Sequence, residues 1–312
     1  MTHSPRAIVF AYHNVGVRCL SVLLAHGVKV ELVITHSDNP KETIWFDSVA
    51  DLAALHDIPV ITPDDPNTPE VSERIRALRP DFLFSFYYRH MLKKDILCIP
   101  TRGAFNMHGS LLPKYRGRVP VNWAIIQGER ETGATLHVMN EKPDNGAIVG
   151  QQAVPILPDD TALQVFHKVT CAAEIALDRC LPELLAGTAQ LKPQDLSQGG
   201  YFGGRRAEDG KIRWFEPAQA IHNLVRAVAP PYPGAFTQLA GKPMRVLQTM
   251  LEPSRPARGT VPAFYCEHGR CYAECGDRKV LRVLAFEWDA QALSAEEFTA
   301  RFGSEPMPFE DV

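Results

Sequence analysis

The stretch "AIVFAY", residues 7–12, is apolar or aromatic throughout, as expected of a strand buried on both faces of a parallel sheet. "VGVRCLSVLLAH" follows, with Val17, Leu20, Leu23 and Leu24 at helical spacing and Gly27 as a stop, and "VKVELVITH" then supplies a second strand. The alternation continues with a helix near 45–56, a short strand at 59–61, a helix near 69–78, and strands at "DFLFSF" (81–86) and "GAFNMH" (103–108). Strands alternating with helices in this way predict an α/β fold: a doubly wound, mainly parallel sheet of the Rossmann-like kind. No strand is followed by G-x-G-x-x-G or G-x-x-x-x-G-K-[ST]. "GGYFGG" at 199–204 comes after a helix, so a nucleotide cofactor held by a glycine loop is not expected.

Further along, "TALQVFHKVTCAAEIALDRCLPELLAG" carries Leu163, Phe166, Val169, Ala173, Ala176 and Cys180 on one face. With Asp160 or Thr161 as cap and Gly187 as stop it predicts a long amphipathic helix. Residues 188–204 are rich in Gly, Gln and Ser and read as a linker. After it come one helix, "PAQAIHNLVRAVA", and strand-like pieces at 243–250, 259–265, 270–275 and 279–286, the pattern of a small barrel or partial barrel. Two domains are expected, 1–198 and 205–305.

Composition narrows the class without choosing within it. Of 312 residues, 45% are hydrophobic and 22% charged, as in ordinary globular proteins, and no apolar run is long enough to span a bilayer. The start of the chain lacks a cationic region followed by an apolar stretch, so a cytoplasmic protein without membrane insertion is expected. A net charge of −3 gives no footprint for nucleic acid. Seven scattered cysteines suggest reduced thiols. In "CEHGRCYAEC", 266–275, the spacing matches no zinc pattern and the flanks read as two strands around a turn at Gly269, so no metal is expected.

Candidate chemistry concentrates in "GAFNMHGSLLPKYRGRVPVNW", 103–123. Side chains at i and i+2 of a strand share a face, so Asn106 and His108 project together near the carboxyl end, where open parallel sheets bind ligands. A carboxamide can donate to a developing oxyanion, and an imidazole can move a proton near neutral pH. Taken alone, the pair also admits a plainer reading, in which Asn106 caps a turn and His108 is satisfied within a loop.

The wider string settles between them. Asn106-x-His108 followed by Ser110, Leu111, Leu112, Pro113, Arg116, Gly117 and Pro120 resembles the folate-dependent formyltransferase family, and Asp144 and Gly146 stand where that family has an Asp-x-Gly. The resemblance extends over "FSFYYRH" (84–90), "RAVAPPYPGAF" (226–236) and the C-terminal region, which in that family is an OB-like barrel. It implies 10-formyltetrahydrofolate as cosubstrate and Asn106, His108 and Asp144 as the catalytic groups. His90, Met91, Leu92 and Arg118 are implied folate contacts, as are Asn140, Glu141, Lys142, Pro143 and Asp144. Tyr88, Arg89, Ser110, Lys114 and Arg116 are candidates for the acceptor side. Arg205 and Arg206 join them as pyrophosphate contacts, or else serve as turn arginines.

Within the family, glycinamide ribonucleotide enzymes lack a second domain. Enzymes acting on methionyl-tRNA need basic clusters, whereas Lys41 here lies among Asp38, Glu42, Asp47 and Asp51, and 205–312 holds 14 Lys+Arg against 14 Asp+Glu. "FNMHGSLLPKYRGR" and "NLVRAVAPPYPGAF" are most similar to sugar-nucleotide formyltransferases, in particular the domain that makes UDP-4-formamido-4-deoxy-L-arabinose for lipid A modification, a trait tied to polymyxin resistance. That domain is usually fused to a decarboxylase, here expected to be encoded separately. The alternatives are methionyl-tRNA formylation, formate-releasing hydrolysis, and a non-catalytic folate- or nucleotide-binding module.

Overall fold

The computed structural model describes residues 4–40 and 43–310. Lys41 and Glu42, two of the charges weighed above, lie outside the described residues. The chain gathers into two compact units. One takes the chain up to Pro120 with Glu131–Pro155 and Phe166–Gly203; the other takes Val121–Arg130, Ile156–Val165 and the chain from Gly204.

In the first unit, β1 (Arg6–Ala11), β2 (Lys29–Ile34), β3 (Val60–Ile61), β4 (Phe82–Phe86) and β5 (Ala104–His108) pair in parallel in the order β3-β2-β1-β4-β5. β1 and β4 are central and almost wholly buried, which is why they read as unbroken apolar runs. The connecting helices are α1 (His13–Ala25), α2 (Val49–Leu55), α3 (Pro69–Ala77) and α4 (Lys94–Leu97). Ile8, Phe10, Leu32, Ile34, Leu83 and Ile75 form one core cluster between sheet and helices. α2 starts at Val49, later than its periodicity suggests, because the Ser48 hydroxyl caps it by accepting the Asp51 N–H at 3.1 Å.

Beyond β5 the sheet changes sense. A two-residue strand β6 (Arg116–Gly117) lies apart from it, α5 spans Pro120–Ile126, and β7 (Glu131–Val138) and β8 (Ile148–Pro155) extend the sheet antiparallel to β5. The expectation of a doubly wound, mainly parallel sheet therefore holds, with an antiparallel edge that periodicity did not reveal. The long helix α6 (Ala162–Ala186) ends at Gly187, whose φ of 75° suits glycine. Next comes β9 (Tyr201–Phe202), parallel to β6.

The second unit contains α7 (Ala218–Val228), β10 (Ala235–Leu239), β11 (Lys242–Leu251), β12 (Ala263–Glu267), β13 (Arg270–Glu274), β14 (Val280–Trp288), β15 (Gln291–Ala292), α8 (Ala295–Phe302) and β16 (Met307–Pro308). Its antiparallel sheet runs β10-β11-β14-β13-β12-β16, an open barrel around Trp214, Phe264, Phe286, Phe298 and Phe309. β12 begins at Ala263 rather than 259, since the Arg258 and Gly259 N–H groups are taken by the Glu274 carboxylate. One expectation is corrected. Cys266 and Cys271 face each other across β12 and β13 and form a disulfide, so the thiols are not all reduced; Cys19, Cys98, Cys171, Cys180 and Cys275 are free. No cluster of His, Cys, Asp or Glu suited to a metal ion occurs among the described residues, nor any helix long and apolar enough to cross a membrane.

Candidate active site

Asn106 and His108 lie on β5 with Thr135 and His137 directly opposite on β7: Asn106 pairs with His137 and His108 with Thr135. Both strands thus send two polar side chains at i and i+2 to one face, and the two pairs meet. Asp144 arrives from the β7–β8 connection, with a left-handed φ of 55°. Tyr115 and Val119 on the neighbouring loop also have positive φ, so unusual backbone collects around this point. Gly146 completes the turn: a Cβ there would come within 1.9 Å of the Val138 carbonyl oxygen.

Asp144 is the hub. Its Oδ1 lies 3.5 Å from His108 Nδ1, 3.4 Å from His137 Nε2 and 3.5 Å from Asn106 Nδ2, while its Oδ2 accepts the Gly117 N–H at 2.9 Å. Burial alone would push this carboxyl up. The His108 charge, the His137 hydrogen bond and the Gly117 N–H outweigh it and hold Asp144 well below the usual carboxylate range.

The hydrogen-bond partners fix the ring protons. Tyr115 O can only accept, so at 2.8 Å it receives a hydrogen bond from His108 Nε2–H, which leaves Nδ1 to face Asp144. Likewise His137 Nδ1 donates to Val138 O at 2.9 Å, which leaves Nε2 between the Asn106 amide at 3.2 Å and Asp144 Oδ1 at 3.4 Å. The arrangement offers an amide donor, a ring nitrogen free to exchange a proton and a carboxylate, all at long contact distances that an incoming group can replace.

The remaining predicted residues fall into distinct environments. Ser110 is fully buried and its hydroxyl donates to Lys114 O at 2.6 Å, which tightens the loop, while the Lys114 side chain is exposed. Arg116 reaches the carbonyls of Leu196 and Gly199 at 3.4 Å, and Arg118 is exposed. Tyr88 stacks on His36 at 4.2 Å with its hydroxyl enclosed, and burial followed by the Asp65 charge pushes that hydroxyl up to about 12. The Arg89 guanidinium lies 4.8 Å over the Tyr12 ring. His90 and Met91 are exposed beside that group, whereas Leu92 is packed in the apolar cluster of the sheet. Asn140 accepts the Lys142 N–H at 3.0 Å, Glu141 pairs with Lys94 at 3.2 Å, and Pro143 is half-buried. Arg205 and Arg206 belong to the second unit. Arg205 donates to Asp209 O at 2.6 Å and lies 4.9 Å over the Trp123 ring, and the Arg206 N–H donates to Asp209 Oδ2 at 2.7 Å.

Sequence reasoning missed His137, although a second polar i, i+2 pair, Thr135 and His137, stood in the strand pattern. It also missed a wall of rings at the carboxyl end of β1, where His13 stacks on Phe46 at 3.8 Å and lies 4.6 Å from both Trp45 and Phe166.

With fold and geometry in place, comparison defines the class. The formyl transferase family matches residues 18–181, and its C-terminal domain matches residues 205–303; the chain belongs to the formyl transferase family and is a formyltransferase. Among solved structures it resembles the N-formyltransferase from Helicobacter canadensis, in complex with folinic acid and dTDP-3-aminofucose. There the identity is 21%, the TM-score 0.73, and 93% of this chain and 100% of that chain are covered. The sugar 3N-formyl transferase WlaRD, solved in the presence of dTDP and 5-N-formyl-THF, gives 19%, 0.70, 93% and 98%. A 4-N formyltransferase from Francisella tularensis gives 18%, 0.61, 74% and 91%. At these identities the likeness is one of fold.

Proposed function

We propose that this formyltransferase uses 10-formyltetrahydrofolate to formylate the amine of a nucleotide-linked amino sugar, with UDP-4-amino-4-deoxy-L-arabinose as the acceptor its sequence favours. The single observation that carries the reading is the convergence of Asn106, His108 and Asp144 around one carboxylate oxygen at contacts of 3.5 Å. The residues suit the cosubstrate. Asn145, next to Asp144, has an enclosed Oδ1 without a donor, as a pteridine N–H would require, and exposed Arg118 offers a cation for an anionic tail.

The cosubstrate supplies an activated formyl carbonyl, and the chain supplies orientation and proton transfer. The Asn106 amide turns an N–H from Asp144 to the oxygen that gains charge as the amine attacks. His108 Nδ1 takes the amine proton, with the ring held through Nε2 by Tyr115 O. Asp144 stabilises the imidazolium so formed and remains ionised, and the ring returns its proton to the folate nitrogen as the tetrahedral centre collapses, the bond between formyl carbon and folate nitrogen breaks and tetrahydrofolate leaves. His137, bonded to Asn106, keeps the amide turned toward the reacting centre. The ring wall at His13, Trp45 and Phe46 suits the nucleoside end of the acceptor. The reading fits a cytoplasmic location, and a sugar-nucleotide decarboxylase would supply the acceptor's precursor.

The test is incubation with 10-formyltetrahydrofolate and a panel of UDP-4-amino-4-deoxy-L-arabinose, other 3-amino and 4-amino sugar nucleotides, and methionyl-tRNA, with products read by mass spectrometry. A formamido sugar nucleotide is expected. Formylated tRNA, or formate alone, would refute the acceptor or the transfer.

A further inference from the structure

The residues between α6 and the second unit do more than join them. At one end, Lys192 and Ile148 exchange backbone hydrogen bonds at 2.8 and 2.9 Å. Two residues on, the Gln194 amide donates to Asp144 O at 3.1 Å and to Gly146 O at 2.6 Å, so one side chain spans the turn that carries the carboxylate. Both partners are carbonyls, so only the NH2 end of the amide fits there.

At the other end, Gly200 O accepts the Arg116 N–H at 3.0 Å and Phe202 O accepts the Arg118 N–H at 2.9 Å, with β9 and β6 in parallel register. The Phe202 ring packs 5.0 Å from Tyr115. The approach is so close that a Cβ on Gly117 would come within 2.3 Å of Phe202 O. Between Arg116 and Arg118 lies Gly117, whose N–H holds Asp144 Oδ2, and just before Arg116 lies Tyr115, whose carbonyl accepts from His108 Nε2. A single stretch of 192–202 therefore grips both backbone segments that orient the Asp144–His108 pair.

We propose that residues 192–202 form a positioning strap for Asp144 and His108, and that Gln194 is the positioning residue that sets the Asp144 turn. The inference rests on the reading that these two residues carry formyl transfer. Without the strap the turn at Asp144, with its positive φ, has no side chain tying its two carbonyls together, and the carboxylate drifts from Gly117 and His108. Contacts of 3.4–3.5 Å leave little room for such drift before the carboxylate interaction is lost.

The test compares the full-length wild type with Gln194→Met, Gln194→Glu and Asp144→Asn. Kinetics use 10-formyltetrahydrofolate with UDP-4-amino-4-deoxy-L-arabinose; in parallel, the Asp144 carboxyl is titrated by NMR in protein labelled with carbon-13 at aspartate, the signal being identified by its loss in Asp144→Asn. Gln194→Met is expected to lower kcat by about 10- to 100-fold with KM for the folate within about 2-fold. Its Asp144 signal should titrate at higher pH than the wild-type signal, whose carboxyl is held low. Gln194→Glu should regain activity relative to Gln194→Met as pH falls below about 5, because a protonated carboxyl restores one donor. A Gln194→Met protein with wild-type kcat and an unmoved Asp144 titration overturns the strap, even when Asp144→Asn is inactive. If Asp144→Asn retains turnover, the catalytic reading fails, and the NMR titration alone still decides whether Gln194 positions the carboxylate.

Discussion

Each unit of the molecule buries a cluster of polar side chains, and the two clusters are built differently. In the second unit, His222, Asn223 and Arg226 on α7 are 1%, 4% and 6% exposed. Arg226 donates to Asn223 Oδ1 at 2.8 Å and to Asp160 O at 3.1 Å, His222 Nε2 meets Pro158 O at 3.0 Å, and Asn122 donates to Ala227 O at 2.7 Å. Apart from Asp159 Oδ1, 3.5 Å from His222 Nε2, the contacts there are closed at 2.7–3.1 Å, three of them on backbone carbonyls. Around Asp144, by contrast, three side chains converge on the same Oδ1 at 3.4–3.5 Å. A cluster closed by short contacts locks a helix. One that shares a single acceptor at long range has donors to spare for a ligand, and this slack supports the proposed reactive site.

The sharpest way to break that contrast is to delete members of each cluster. Asn106→Ala, His108→Ala and Asp144→Asn are each expected to lower kcat by about 10³-fold, with thermal unfolding midpoints within a few degrees of wild type. Arg226→Ala should do the opposite. Losing a buried guanidinium takes two donors from Asn223 Oδ1, which keeps only the Gln219 amide, and one from Asp160 O, so the second unit should lose about 3 kcal/mol in urea melts while the folded fraction keeps its kcat. If Arg226→Ala abolished turnover in folded protein, or the Asp144 variant failed to fold, the contrast would be void.

How much of this was legible beforehand follows the same division. β1, α1, β2 and β4 could be traced because central parallel strands are apolar at every position and helices repeat at 3.6. Asn106 and His108 stood out because polar residues at i and i+2 interrupt such a strand. His137 escaped because its meaning depends on an antiparallel partnership between β5 and β7, and pairing across a sheet leaves no local trace in sequence. Gln194 was less legible still: it lies in an irregular segment where no periodicity marks one residue over another. The disulfide between Cys266 and Cys271 was visible only as a spacing until the β12–β13 register placed the two side chains opposite one another.

The smallest expected effect separates the clusters by pH. Burial, and then the Arg226 charge, push the His222 imidazole down, against the raising pull of Pro158 O and Asp159. In the first unit burial, His90 and Arg89 push His36 down to about 4. For a base whose folded value is lowered, the unfolded chain binds the proton first. The stability contribution is therefore complete above about pH 6.5 and is lost as pH falls toward the folded value. Asp144 runs the same way in a different window, since its lowered carboxyl favours the fold above about pH 4 and loses that contribution only in stronger acid. Wild-type stability should therefore decline in two steps on acidification. His222→Gln should flatten the first by no more than about 1.4 kcal/mol per pH unit and leave the second intact. Urea melts between pH 7 and pH 4 read the first step, and melts in stronger acid read the second. A His222→Gln protein with the full wild-type slope would mean that its imidazole is not held neutral by the closed cluster, and the two sites would then differ less than their geometry indicates.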